Sequence, residues 1–230
     1  MNHEIVSRAE WLAARKTLLA GERSLTRQQD QVRATRRALP WTKVGVDYAF
    51  ASATGPKTLA ELFQGRSQLF VQHLMLSPDA DHFCPSCGCM ADHAEIARHH
   101  LANADLAFAA ISRASVEEIE AIKRRMGWTF EWVSSADTSF SYDYGASFTA
   151  EQIESGEALY NFETTSHLAE DLPASLVFAR DEAGAVFHTY SAYARGTENL
   201  FYPFHFLDFA PKGRHEADGV MNWVRLRDEY

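Results

Sequence analysis

Cysteine is nearly absent from this 230-residue chain: Cys84, Cys87 and Cys89 are the only three, and they fall within six positions. Thiols this close in sequence cannot close long loops, which excludes a framework of structural disulfides and makes a reducing cytoplasm the expected location. Long hydrophobic runs are also missing. No apolar stretch approaches the roughly eighteen residues that span a bilayer as a helix, so no membrane partner is expected. The opening "MNHEIVSRAEWLAARK" has charges inside its apolar stretch and no small-residue cleavage site, unlike a secretory signal. Repeats and low-complexity tracts are lacking too.

Positive charge is in deficit, with 22 Lys and Arg against 31 Asp and Glu and a net charge of −9. The deficit is uneven. Residues 1–40 hold eight basic and four acidic residues, which leaves the remainder with fourteen basic and 27 acidic, a balance of −13. An acidic body argues against nucleic acid as a partner. The basic residues near the N-terminus are interleaved with acids on a helical pattern. They read first as a solvated helix face and second as the contact of a possible homodimer.

At 46% hydrophobic residues the chain can bury one sizeable core. Residues 1–40 read as two helices, a helical N-terminal extension to a domain spanning 41–230. "SRAE" at Ser7–Glu10 is a capping box flanked by Val6 and Trp11 as a hydrophobic staple, and Gly21 is placed to end that helix. "TRQQ" at Thr26–Gln29 opens a second helix, which must stop before Pro40. From residue 45 strands and helices alternate. "LFVQHLML" (69–76) and "DLAFAAIS" (105–112) have the near-continuous apolar character of strands buried on both faces. A helix runs from the cysteines to about Leu101, and another is capped at Ser115–Glu118 and closed by Gly127. "TFEWVSS" (129–135) is strand-like, and "TAEQ" (149–152) caps a short helix that Gly156 stops. "ASLVFARDEAGAVFHTYSAY" (174–193) reads as a hairpin, the aromatic run 200–209 as core or a dimer interface, and 221–226 as a short helix. This alternation predicts an α/β layered domain.

All three cysteines lie in "DHFCPSCGCMADH" (81–93). In a redox reading, Cys84 sits between a buried strand and a helix, where unpaired backbone N–H groups and the helix dipole favour a thiolate. Such placement lowers a thiol pKa from about 8.5 into the range of roughly 3.5–7.5. Pro85 suits the first helical position, and Cys87 falls on the same helix face as Cys84. In a metal reading, zinc needs four convergent ligands, yet only one C-x-x-C exists. Helical spacing turns Cys89 and His93 away from the pair, which leaves His73 and His82 as the nearest histidines. In an inert reading the cysteines are small hydrophobes, which suits Cys89. Asp92 and His93 read as exposed polar positions, and His82 as a surface residue that can also tune a neighbouring thiolate.

Cys84-Pro85-Ser86-Cys87 resembles the active site of the thioredoxin superfamily, with proline in the slot where glutaredoxins carry it. "LAELFQGRSQLFVQHLML", "AISRASVEEIEAIKRRMGWTFEWVSS", "VFHTYSAYARG" and "WVRLRDEY" extend the likeness over nearly the whole chain. The sequence is similar to a bacterial family of thioredoxin-like proteins of unknown function, distantly allied to the peroxiredoxins. The resemblance implies a thioredoxin-like α/β fold: a central mixed sheet flanked by helices, with the N-terminal helical extension added. It further implies a usually cis proline before the strand beside the cysteines, for which Leu172–Pro173 is the candidate. Peroxiredoxins carry P-x-x-x-[TS]-x-x-C, and here the proline and hydroxyl slots hold Ser77 and Asp81. That departure favours dithiol–disulfide exchange over a peroxidase, with a metal- or partner-binding protein as a further alternative. The exchange reading makes Cys84 and Cys87 catalytic, needs no cofactor, and takes a protein or small-molecule disulfide or thiol as partner. Pro173, by analogy, supplies a backbone edge for substrate. His188, Tyr190 and Arg195 in "VFHTYSAYARG" are candidate substrate-binding residues, His188 and Tyr190 sharing one strand face by simple alternation.

Overall fold

The computed structural model describes residues 3–164 and 169–230. They form two compact units, 1–40 and 41–230. The first is a single helix, α1 (Arg8–Arg37), rather than the expected pair. Ser7 and Glu10 do form the capping box at its start. Gly21 does not end it, since an isolated glycine costs only about 1 kcal/mol in a helix and good helix formers flank it. Nor does Thr26 cap a second helix. Its hydroxyl donates 3.0 Å back to the Glu22 carbonyl, the local bond of a threonine in mid-helix. Val6 and Trp11 stay half-exposed, and the Arg8 guanidinium lies 4.4 Å over the Trp11 ring.

The second unit is layered around a sheet. Its strands are β1 (Thr42–Lys43), β2 (Ala49–Phe50), β3 (Lys57–Thr58), β4 (Gln68–His73), β5 (Leu106–Ser112), β6 (Glu131–Ser134), β7 (Leu159–Tyr160), β8 (Glu163–Thr164), β9 (Ala174–Arg180) and β10 (Val186–Tyr193). Helix α2 (Pro85–Asn103) links β4 to β5, and α3 (Val116–Met126) links β5 to β6. The shorter helices are α4 (Phe140–Asp143), α5 (Ala150–Ser155) and α6 (Tyr202–Leu207). Six strands form a mixed sheet in the order β1-β10-β9-β4-β5-β6, with β4, β5 and β6 parallel and the other pairings antiparallel. Helix caps fall where the sequence places them: Ser115 and Gly127 bound α3, and Thr149 and Gly156 bound α5.

Strand periodicity sorts the core into two layers. Leu69 and Val71 of β4, Ala109 and Ile111 of β5, and Leu176 and Phe178 of β9 pack on one face with Phe50, Phe63 and Phe140. Ala110 and Trp132 face the opposite layer, where α2 and α3 contribute Cys87, Ala91, Ile119 and Met126. Each fully buried side chain of Phe or Leu size contributes roughly 1.5–3 kcal/mol. The closing segment joins this second layer through Leu226. It is not the short helix expected at 221–226, because Met221 takes φ 59°, outside helical backbone, and the only regular turn comes later at Arg227–Glu229. Among the described residues no helix is long and apolar enough to cross a membrane.

Candidate active site

Parallel strand β4 ends at His73, and the chain crosses a loop before re-entering regular structure at α2. Phe83, packed against Trp128 and Trp132 at ring separations of 6.0 and 5.5 Å, anchors the last residue of that loop. Cys84 is therefore the N-cap of α2, with extended backbone (φ −60°, ψ 118°), and Pro85 takes the first turn. The cap position makes its sulfur the acceptor for helix donors: the Cys87 backbone N–H donates to Cys84 Sγ at 3.5 Å. The Ser86 hydroxyl lies 3.1 Å from the same sulfur.

The two thiols are driven in opposite directions. Cys84 is pulled down to about 6, first by a hydrogen bond from the Cys87 thiol and then by the Ser86 hydroxyl and backbone donors, against the opposing effect of burial. Cys87 is fully buried and held well above an ordinary thiol, by its bond to Cys84 and by desolvation. Its sulfur accepts the Met75 backbone N–H at 3.5 Å. The pair is thus one acidic, partly accessible thiolate beside one buried proton-holding thiol; both are reduced in this structure. Cys89 turns away, onto a separate cluster with Met90, Phe201 and Phe204, and burial pushes its thiol up to about 12.

Two architectural supports of α2 carry no signal in residue type alone. Asp92 is not an exposed polar position: its carboxylate accepts the Trp128 indole N–H at 2.8 Å and Arg227 Nη1 at 2.7 Å, with the side chain only 17% exposed. His93 is half-buried, its ring 5.0 Å from that of Tyr202, and burial lowers its pKa. Gly88 lies against Leu226 so closely that any Cβ would overlap the Leu226 side chain. That contact explains glycine directly after the C-x-x-C.

Leu172–Pro173 is trans, not cis. Trans is the ordinary form of an X–Pro bond, and its neighbours are tied in place: the Leu172 carbonyl is 3.0 Å from His73 Nδ1, the Leu172 N–H donates to Ala146, and the Pro173 carbonyl accepts the Tyr160 hydroxyl at 2.9 Å. Pro173 precedes β9, whose Ala174 pairs with His73, so it stands at the end of the sheet from which the cysteine loop departs.

His73 is fully buried on the sheet face opposite the one where Gln72 meets Met90 of α2. Burial lowers its pKa, so the imidazole is neutral, and because a carbonyl can only accept, Nδ1 carries the proton. Nearby, Arg113 at the end of β5 donates to Asp171 (2.7 Å), Tyr142 (3.0 Å) and Glu170 (3.1 Å), and Ser147 donates to Asp171 at 2.6 Å. His82 is exposed. Among the described residues no group of three or more His, Cys, Asp or Glu side chains converges to hold a metal ion.

The remaining candidate residues are not arranged as simple alternation predicts. A β-bulge between His188 and Tyr190 shifts the register of β10 against β9. His188 and Tyr193 consequently meet the same residue: the His188 ring is 5.1 Å from Tyr144, and the Tyr193 hydroxyl donates 2.7 Å to the Tyr144 carbonyl. His188 Nε2 lies 2.7 Å from Ser191 Oγ and 3.1 Å from the Tyr190 carbonyl. Arg195 lies beyond the strand, its side chain 83% exposed and paired with Glu198 at 2.7 Å.

The fold has relatives among solved structures. A cysteine-to-serine mutant of peroxiredoxin Q from Xanthomonas campestris superposes with a TM-score of 0.50 at 12% identity, covering 74% of this chain and 97% of that one. Peroxidoxin BcpB from Mycobacterium tuberculosis gives a TM-score of 0.49 at 14% identity, over 71% and 94%. At these identities the likeness establishes the fold, which is thioredoxin-like, with a central mixed sheet flanked by helices. None of the curated proteins compared matches the sequence. A family model described as "Bacterial protein of unknown function (DUF899)" matches residues 1–230, and the chain belongs to that family.

Proposed function

We propose that this protein is a thiol–disulfide oxidoreductase working through Cys84 and Cys87 on a protein or small-molecule disulfide. One observation carries the reading: the Cys84 sulfur caps α2, accepts the Cys87 N–H, and is lowered to about 6, while Cys87 keeps its proton in a buried position. At neutral pH Cys84 is a thiolate. It attacks one sulfur of the substrate disulfide and expels the other as a thiolate, leaving a mixed disulfide. Bonding to carbon and sulfur on both sides removes the negative charge from Cys84, so the main influence that held the Cys87 proton disappears. Cys87 then attacks Cys84 Sγ, its proton passing to the departing sulfur, so that the second half of the substrate leaves as a thiol. The dithiol has become a disulfide, and two electrons have passed to the substrate. A dithiol reductant, or two monothiol molecules in turn, reverses the sequence, leaves as a disulfide and resets the protein. Pro173, half-buried at the adjoining sheet end, is the edge along which a substrate chain lies.

The test is reduction of insulin disulfides with a dithiol as electron source. Wild-type protein is expected to turn over, Cys84→Ser to be inactive, and Cys87→Ser to accumulate a mixed disulfide. Equal rates for all three would refute the assignment. Peroxide consumption is expected to stay near that of a free thiol, because Ser77 and Asp81 occupy the proline and hydroxyl slots of a peroxidase.

A further inference from the structure

A cleft of about 470 Å³ opens beside β10, and neither the cysteines nor Pro173 line it. Its aromatic wall is formed by Tyr144, Phe148, Phe162 and Tyr193. Asp143 and Glu157 also line it, whereas no Lys or Arg does. Tyr48 and Ser139 donate to Asp143 at 2.8 and 2.6 Å, both to Oδ2, so Oδ1 has no donor among the described residues. Glu157 forms no ion pair among the described residues. Among the described residues the one basic side chain in the lining is His188, and burial lowers its pKa.

Phe162 marks the cleft as built for something. It sits with Asn161 in the two-residue loop between β7 and β8, at φ 68° and 54°. Such a loop takes glycine at its second position, because a side chain is strained in left-handed backbone. Here the strained position carries a large ring that is 76% exposed and stands edge-on to Tyr193 at 5.4 Å. A ring in that place adds little to the core. It does add a second aromatic face to a cleft whose only charges are negative.

We propose that this cleft binds a small organic cation of the quaternary-ammonium or alkylamine class, held against the exposed ring of Phe162 with Asp143 and Glu157 as counter-charges. Ring faces attract such cations electrostatically, and the attraction is strongest where water is displaced.

The probe is choline, compared with its neutral isostere 3,3-dimethylbutan-1-ol, titrated into the full-length isotope-labelled protein and followed by amide chemical shifts. Choline is expected to saturate with a Kd of about 1 mM, a few cation–π contacts' worth, and to move Gly145, Phe162 and Ser191. The isostere should leave them in place. Phe162→Gly suits the turn, so its melting temperature should be unchanged or higher while choline binding weakens about fivefold or more. Glu157→Gln should weaken binding without affecting the fold. Equal shifts by both probes, undiminished binding in Phe162→Gly, or no saturable response to choline would each overturn the proposal.

Discussion

Cys84 is acidic because several donors aim at a single sulfur, and each can be removed separately. The rate of alkylation by iodoacetamide should rise with pH and reach half its maximum near 6, since only the thiolate reacts. Below that pH Cys84 is protonated and slow; above it, the rate levels off. Ser86→Ala removes the hydroxyl at 3.1 Å and should move the midpoint upward, toward the ordinary thiol value. Cys89, pushed up to about 12, should remain unlabelled at neutral pH in the folded protein. Gly88 offers a test of packing at the same scale. Gly88→Ala forces the Leu226 side chain to move and should destabilise the protein by about 1–3 kcal/mol in urea unfolding, and the double variant with Leu226→Ala should cost less than the sum of the two single changes.

At the scale of elements, the sheet end next to the dithiol is held by a buried ion pair. Arg113 and Asp171 side chains are 12% and 6% exposed, so Arg113→Met leaves a buried carboxylate uncompensated. The expected cost is about 3–5 kcal/mol in urea unfolding. Arg125, which meets Asp228 and Glu229 at the surface, should leave the urea midpoint nearly unchanged when replaced by Ala. Elements whose making is local were legible in the sequence. The capping boxes at Ser7, Ser115 and Thr149, the buried strands β4 and β5, and the cysteine placement before α2 follow from neighbours a few residues apart. Features set by partners far along the chain were not. The bulge in β10 depends on β9, and the burial of Asp92 on Trp128 and Arg227. Thr26 shows a local ambiguity of another kind, because a capping hydroxyl and one bonded back to a carbonyl look alike in sequence.

For the whole molecule, every buried hydrophobic residue among the described residues lies between Tyr48 and Leu226, and α1 buries none of its own. Residues 41–230 expressed alone should therefore unfold cooperatively, with thiol reactivity matching that of the full chain; loss of the transition would place part of the core in the first forty residues. The same body carries two separate chemistries in this account, a dithiol at the mouth of α2 and an acidic aromatic cleft along β10. The central claim concerns the first. It is tested most directly by equilibrating the protein across a series of reduced and oxidised dithiothreitol ratios, trapping free thiols by alkylation, and mapping them by mass spectrometry. One reversible two-electron transition is expected, in which Cys84 and Cys87 lose their labels together, as an intramolecular disulfide, while Cys89 stays free. Three thiols that remain labelled throughout, or a Cys84 that is lost without Cys87, would contradict it.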